Sequence, residues 1–553
     1  MESVLLVRRG EAAVQARGYA EDGTVLADAT VAADDMAGYV RERERAPVRW
    51  VWDDTTRWYP QLLAHGVRVE RCTDLRLTHA VLRRSPFVDQ AIFADDATAG
   101  WDALQPVTAA EPGLFPLEDP ADRLDPVAEH ERHRAALAAS PQRGRLALLL
   151  AGESAGALVA AEMTHAGLPW RADVHERLLE HALGPRPQPG RRPAVLEGLM
   201  GDIRTAFGTP GLNPDSPGEL LRALQAAGLP VSDTRSWTLE QLDHPGIPAL
   251  LEYKKLSRLL QANGWSWLET WVRDGRFRSW FLPGGVVTGR WASNGGGALS
   301  VPTQVRAAAV ADAGWRFVVA DVAQLEPRVL AGMSADTAMA EAARSTDLYE
   351  GMVAAGAVTT RAEAKVGMLG AMYGGTRGES GRMMPRLTRR YPRAIGLVEE
   401  AARAGERGEV VHTLLGRGSP APTGAWAQRP VGFGEPADDG GSKEDRDRAR
   451  RAWGRFTRNF VVQGTGAEWT LCWLAELRNR LWRLGPGPTL QERPHLVFFL
   501  HDEVVVHTPE ALAADVVEEV RAAAATAGRL LFGGFPVDFP LDVAVVASWA
   551  EAG

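Results

Sequence analysis

Residues 496–506 read LVFFLHDEVVV. Two apolar runs, Leu496–Leu500 and Val504–Val506, enclose His501-Asp502-Glu503. Unbroken apolar runs of this length predict strands buried on both faces. The three polar residues between them predict the tip of a hairpin. The run Phe317–Ala320 (FVVA) likewise leads straight into Asp321. A buried strand holds a terminal carboxylate rigidly, and hard oxygen ligands suit Mg²⁺. Two such aspartates can hold two ions about 3.5–4 Å apart, which clamps the attacking and leaving oxygens of a phosphoryl transfer. Taken singly, each aspartate is better read as the cap of a turn.

A second segment carries cations. Thr360-Arg361-Ala362-Glu363 has the form of a capping box, and Gly374-Gly375 is a helix stop. Along the predicted helix, Arg361, Lys365, Leu369 and Tyr373 recur every fourth residue and share one face. The cations fall in the first two turns, where the macrodipole is positive and backbone N–H groups are free. The flat and apolar groups lie further along. That order fits a nucleoside triphosphate; it also fits an ordinary amphipathic helix. The G-x-x-x-x-G-K-[ST] phosphate loop is absent. Arg455, Asn459 and Gln463 form another stripe of the same spacing, able to reach minor-groove acceptors shared by all base pairs or to face solvent.

Composition sets the outer limits. The 553 residues carry a net charge of −8, with 45% hydrophobic and 24% charged residues, as in ordinary globular proteins of several domains. Two cysteines exclude a disulfide framework and a Cys-based zinc site, and fit a reducing cytoplasm. The opening MESVLLVRRGE has too short an apolar run for a signal peptide, and Leu146–Met163, which contains Glu153 and Glu162, reads as a buried helix. Charge is polarised: residues 361–459 carry 19 basic and 12 acidic residues, a net +7, against a net −6 for residues 1–150. This suggests a polyanionic partner for the former, or a solvated mixed surface. Of 62 basic residues only Lys254, Lys255, Lys365 and Lys443 are lysine.

Together these segments resemble the family A DNA polymerases, the DNA polymerase I family. Asp321-Val-Ala-Gln-Leu-Glu326-Pro-Arg328 resembles motif A. Arg361, Lys365, Leu369-Gly370 and Tyr373-Gly374 resemble motif B, and His501-Asp502-Glu503 resembles motif C. Thr288-Gly289-Arg290, Glu409–Arg417 (EVVHTLLGR), Arg455…Asn459…Gln463-Gly464-Thr465, Leu251–Leu259 (LEYKKLSRL) and Leu212–Pro217 (LNPDSP) resemble further signatures. All keep family order, from Leu212 to Glu503.

The resemblance implies an α+β multidomain fold: a right-hand polymerase with an antiparallel palm sheet and helical thumb and fingers, preceded by a small RNase H-like α/β domain. The implied boundaries are 1–150 for the N-terminal domain, 151–285 for the thumb and connecting helices, 286–335 and 405–553 for the palm, and 336–404 for the fingers. The implied reaction is template-directed addition of dNTPs to a primer 3′ end, in replication or repair, with two Mg²⁺ ions or, alternatively, Mn²⁺. Asp321 and Asp502 are implied as metal ligands with Glu503 beside them, and Lys365 joins the two aspartates in catalysis. Arg361 and Lys365 would hold the triphosphate. Gln324, Leu369, Tyr373 and Glu326 would line the dNTP, Tyr373 by the templating position and Glu326 against a 2′-OH. Arg290, Arg455, Asn459, Gln463 and His501 would contact DNA. The implied partners are primed template DNA and dNTPs, for a monomer in the cytoplasm, at the nucleoid, without a membrane. Lys365 supports its assignment, because a compact ammonium is kept where this chain otherwise uses arginine. Val322, Ala323, Pro327 and Leu369 depart from the family pattern, and they bear on sugar discrimination.

A proofreading 3′–5′ exonuclease often precedes this polymerase and needs a D-x-E on its first strand. Residues 1–150 contain none, and Trp58-Tyr59 stands where the family places an aspartate. The expectation is an inactive, structural remnant. The other readings are a polymerase with residual exonuclease activity and a non-catalytic DNA-binding scaffold. The intact Asp321, Asp502, Arg361, Lys365 and Tyr373 speak against the scaffold.

Overall fold

The computed structural model describes residues 2–94, 98–107, 120–375, 378–422 and 443–552. Of the predicted linker Ala94–Asp125, residues 95–97 and 108–119 lie outside the described residues, and the described part is not a plain linker: it forms a short helix, Ala99–Ala103, that buries Trp101. Residues 423–439 of the predicted loop Gly416–Asp439 also lie outside. The chain divides into two compact units. One comprises Met1–Ala166, Trp280–Asn294 and Gly314–Val545; the other comprises Gly167–Ser279, Gly295–Ala313 and Val546–Gly553.

The first unit opens with a five-stranded sheet of β1 (Glu2–Arg8), β2 (Ala13–Tyr19), β3 (Val25–Ala32), β4 (Val48–Trp52) and β5 (Cys72–Asp74), in the order β3-β2-β1-β4-β5. β1, β2 and β3 pair antiparallel, whereas β1, β4 and β5 run parallel. This matches the RNase H-like α/β domain expected for the region. Val4–Val7 are buried because β1 is central and covered on both faces. Asp54 caps the helix Thr55–Ala64, Asp74 caps the helix Leu75–Leu82, and Arg76 lies 2.5 Å from Asp54.

The helix Arg143–Ala166 is long and apolar enough to cross a membrane by length and composition. Its Leu146, Leu149, Leu158, Val159 and Met163 are instead buried within the unit, as the sequence predicts. Its two buried acids find distant arginines. Glu153 pairs with Arg417. Glu162 accepts from Arg478 at 2.6 and 2.8 Å and from the Tyr59 hydroxyl at 2.6 Å.

The second unit is mainly helical: Ala172–Leu183, Ala194–Ala206, Pro217–Ala226, Gly246–Asn263 and Trp265–Trp271. The predicted break at Gly184–Pro193 separates the first two. A small sheet of β6 (Leu168–Pro169), β7 (Val272–Arg273) and β8 (Arg276–Phe277) packs with an aromatic cluster of Trp170, His175, Trp267 and Phe277. Asp215 of the LNPDSP segment accepts from Tyr253 at 2.9 Å and from Ser257 at 3.1 Å, so two of the quoted signatures are joined.

Back in the first unit, β9 (Trp280–Leu282) and β10 (Ala292–Asn294) form a short hairpin carrying Arg290 in its loop. A four-stranded sheet follows, of β11 (Trp315–Val322), β12 (His495–Leu500), β13 (Glu503–Pro509) and β14 (Leu541–Val546), in the order β12-β13-β11-β14. The antiparallel β11-β13-β12 core has the expected palm pattern. The 42-residue helix Lys443–Leu484 and the helix Ala513–Phe532 pack together beside it. Between β11 and residue 406 lie six helices around one core that includes Leu330, Met352, Met368, Leu387, Tyr391 and Phe460.

Candidate active site

β12 and β13 pair up to Leu500 opposite Glu503, so only His501 and Asp502 form the turn. His501 is held at φ +57, and the Asp502 N–H donates to the Leu500 carbonyl at 2.7 Å. A left-handed conformation is costly for a residue with a Cβ, and such strain gathers at functional sites. Asp274, Gln324, Ala335 and His501 are the non-glycine residues of positive φ among those described. Two of the four flank the predicted carboxylates. Asp321 stands opposite Glu503 across the β11–β13 ladder, and the Val322 N–H donates to the Asp502 carbonyl at 3.1 Å. Asp321, Asp502 and Glu503 therefore emerge at adjacent strand ends. Burial pushes the Asp502 carboxyl above the ordinary range, with His501 working against it. This all-oxygen donor set fits a hard divalent cation, whose charge would offset that burial.

The predicted cationic helix is Arg361–Tyr373. The Thr360 hydroxyl accepts from the Glu363 N–H at 3.2 Å, while the Glu363 carboxylate reaches one residue beyond a capping box, to the Thr359 N–H at 2.8 Å. Gly374 ends the helix at φ +80. A Cβ there would sit 2.6 Å from the Arg455 Cγ, so glycine is needed twice over. Ala364, Gly367, Met368, Ala371 and Met372 face the core. Arg361, Lys365, Leu369 and Tyr373 are exposed together, as the spacing predicts. Arg361 lies 2.7 Å from Asp347. The buried Arg458 donates to the Ala371 carbonyl at 2.9 Å, which places a cation at the helix C-terminus.

Glu326 joins this stripe to the palm. Its carboxylate accepts from the Tyr373 hydroxyl and pairs with Arg290. Burial and that hydrogen bond push the Tyr373 hydroxyl up to about 12. Arg290 and Glu326 lie close enough to act on Asp502 in opposite senses. Gln324, φ +49, turns its side chain the other way, where its oxygen accepts from the Leu348 N–H at 3.0 Å. The nearby Arg328 is fully buried; it donates to the carbonyls of Ala323, Ala343, Ser345, Thr346 and Asp538. Burial lowers its pKa to about 10. A guanidinium with five donors suits such a cradle.

Arg455 is exposed and Asn459 and Gln463 are half-buried on the helix Lys443–Leu484, while Phe460, Val461 and Val462 are buried. The side chain of Gln463 interacts with Tyr373, so the second predicted stripe meets the first. A Cβ on Gly464 would sit 2.4 Å from the Thr413 side chain and 3.1 Å from the Thr288 carbonyl, which brings three of the quoted signatures together. The +7 segment is partly neutralised by ion pairs of Arg361, Arg403, Arg407, Arg417 and Arg458. Arg448 pairs with Asp445 as well, while Arg382, Arg386, Arg389, Arg390 and Arg451 are exposed.

At the N-terminal sheet, β1 ends in Arg8. Its guanidinium lies 5.0 Å from the Trp58 ring and donates to the Arg57 carbonyl at 2.8 Å. The Trp58 N–H donates to Asp53, and the Tyr59 hydroxyl to Glu162. Sequence reasoning did not find the Arg328 cradle, the Glu162–Arg478 network, or a second network in which the buried Glu468 accepts from the Thr413 hydroxyl and from the Leu415 N–H at 3.0 Å. Their signal is a charged residue inside an apolar run, which marks burial without naming the partner.

The profile described as DNA polymerase family A matches residues 196–551. The chain is similar to the thermostable DNA polymerase I of Thermus filiformis, 28% identical over 402 residues, covering 65% of this chain and 44% of that protein. It is also similar to DNA polymerase I of Chloroflexus aurantiacus, 25% identical over 409 residues, covering 69% and 39%. It thus spans less than half the length of these curated relatives. Among solved structures it resembles the POL domain of Pol1 from M. smegmatis in complex with DNA primer-template and dNTP, with a TM-score of 0.70 and 18% identity, covering 99% of this chain and 96% of that one.

Proposed function

We propose that this chain, which belongs to DNA polymerase family A, extends the 3′ end of a DNA primer along a template. The observation that carries the reading is the convergence of Asp321, Asp502 and Glu503 at adjacent ends of β11 and β13, with the Arg361–Tyr373 stripe tied to them through Glu326. Polymerases of this family use divalent metal ions. Two Mg²⁺ ions, or Mn²⁺, would be held by Asp321 and Asp502 with Glu503 alongside, and when bound they supply charge neutralisation to the phosphoryl transfer.

Arg361 and Lys365 hold the triphosphate at the positive end of their helix. Lys365 is also the group on that helix that can share a proton with the leaving phosphate. Leu369 and Tyr373 cover the sugar and base. Glu326, fixed from both sides by Arg290 and Tyr373, closes the space a 2′-OH would need, with Gln324 supporting the same wall from behind. Arg290, Arg455, Asn459, Gln463 and His501 contact the primer end and the minor groove, where acceptors are shared by all base pairs.

The palm is residues 286–335 and 405–553, the fingers 336–404 and the thumb with its connecting helices 151–285. Residues 1–150 support the palm without trimming DNA, because a cation and a tryptophan occupy the end of β1. The protein acts as a monomer in the cytoplasm, at the nucleoid, in replication or repair synthesis. Primer extension with each dNTP omitted in turn tests this. Stalling at the template position that calls for the missing nucleotide is expected, with no shortening of a single-stranded 3′ end. Extension indifferent to the omitted dNTP would sink the template-directed reading.

A further inference from the structure

Three buried groups outside the palm, none used by the polymerase reading, converge in the N-terminal region. His79 lies on the helix Leu75–Leu82. Glu129 and His133 lie one turn apart on the helix Pro126–Ala139, and so share a face. They are 1%, 0% and 4% exposed. His79 Nδ1 lies 2.7 Å and His133 Nε2 2.5 Å from the same oxygen, Glu129 Oε1. The three atoms all lie within 4.8 Å of one another, and no other such group of donors occurs among the described residues.

Two features separate this cluster from a plain buried ion pair. Neither ring nitrogen of His133 makes an aligned hydrogen bond; Nε2 meets Glu129 only as a close ion-pair contact. Such misalignment leaves a buried imidazole poorly satisfied. A metal ion satisfies such a nitrogen through its lone pair. The second feature is Asp102. Its Oδ1 lies 3.3 Å from His79 Nε2, and the carboxylate is itself held by Arg83. A carboxylate behind the outer nitrogen fixes the tautomer and leaves Nδ1 as the inward donor, the arrangement that orients metal-binding histidines. Arg132 takes the other carboxylate oxygen, Glu129 Oε2, which leaves Oε1 for the site.

We propose that His79 Nδ1, Glu129 Oε1 and His133 Nε2 bind a divalent transition-metal ion of the zinc class. Two imidazoles and one carboxylate are a known three-ligand set for zinc, and imidazole nitrogen selects against Mg²⁺. Ligand bonds of about 2.0–2.1 Å place donors roughly 3.3 Å apart, so the two short contacts open by less than about 1 Å. The ion ties the helix Leu75–Leu82 to the helix Pro126–Ala139 and stabilises the N-terminal domain by mass action.

The test uses the full chain carrying Asp321→Asn, Asp502→Asn and Glu503→Gln, so that the palm carboxylates contribute no ligands. After stripping with a chelator, it is titrated with Zn²⁺ against a chromophoric chelator, and with Co²⁺ read by visible absorption. About one equivalent is expected, with Co²⁺ bands of a nitrogen–oxygen site. Asp102→Asn, at the solvent edge of the cluster, is expected to weaken binding about 10-fold or more while leaving the fold intact. His79→Ala combined with His133→Ala is expected to abolish it. A parent protein that takes up neither ion overturns the proposal, whatever the variants do. So does an equivalent of Zn²⁺ retained by the double histidine variant.

Discussion

β1 and β11 are built alike. Each is an internal strand whose first two residues are half-buried, whose next four are buried, and whose seventh is exposed. In β11 that seventh residue is Asp321, and the neighbouring strand end supplies Asp502 and Glu503. In β1 it is Arg8, and the neighbouring helix supplies Trp58 and Tyr59. One scaffold device, a rigid strand that delivers a side chain to its own end, holds an anionic cluster in one sheet and a packed cation in the other. The fate of the nearby acids follows. Around Asp502 burial is only partly offset by protein charges. Around Tyr59 the buried Glu162 is matched by Arg478 and approached by Arg68 at 3.6 Å. Chemistry needs a charge left for a ligand to complete, whereas packing consumes every charge internally.

The largest effect expected from this contrast is at the strand ends themselves. Asp321→Ala or Asp502→Ala should cut primer extension by more than about 10³-fold, because several kcal/mol of transition-state stabilisation goes with the proposed metal ligands. The melting temperature should hardly move. Arg8→Ala should leave extension unchanged and create no 3′ trimming. Extension surviving either aspartate change would erase the distinction between the sheets.

The next effect is in stability. Glu162→Ala leaves Arg478 and Arg68 buried without their carboxylate, and the loss of one partner of a buried pair costs about 3–5 kcal/mol. The urea midpoint should fall accordingly, with extension by the folded fraction preserved. A midpoint within error of the parent would mean that the network is not closed as described.

A smaller effect, and one on rate rather than stability, is expected at Lys365. Lys365→Ala should slow extension about 10²-fold, as for loss of one charge-stabilising group in an active site. Lys365→Arg should recover only part of the rate, because a fork cannot replace a point charge. Full recovery by arginine would remove the argument drawn from the scarcity of lysine.

These examples also show what the sequence could tell. The β12–β13 hairpin, β11 and the Arg361–Tyr373 helix were legible because each is encoded locally, by an apolar run, a cap or a four-residue period. So was the buried nature of the helix Arg143–Ala166. The partners of its acids were not, since Glu162 and Arg478 stand 316 positions apart and no periodicity links them. The same holds for Arg328, whose acceptors are backbone carbonyls and leave no mark in composition. Gln324 and His501 were visible as motif members, but their left-handed backbone was not, because neither is glycine. Glu129 and His133 had a readable four-residue spacing; what was missing was His79, brought in by a separate helix.

The last effect separates the two kinds of site by pH. Glu468 is buried among the Thr413 hydroxyl, the Leu415 N–H, Arg417 and Glu153. Burial raises its carboxyl from 4.5 to about 7, against the hydrogen bonds and Arg417, while the Glu153 charge adds to the rise. A raised carboxyl pKa means that the folded state binds the proton more tightly than the unfolded chain does. Its contribution to stability is therefore complete below about pH 4.5 and is lost as the pH climbs through about 7. Glu468→Gln mimics the protonated form, keeps an acceptor for Thr413 and removes that dependence. Urea midpoints measured from pH 5 to 8 should show the variant gaining on the parent as pH rises, with most of the gain in place by pH 8. Parallel curves would mean that Glu468 stays ionised throughout, and that this acid, like Glu162, has its charge fully matched inside the protein.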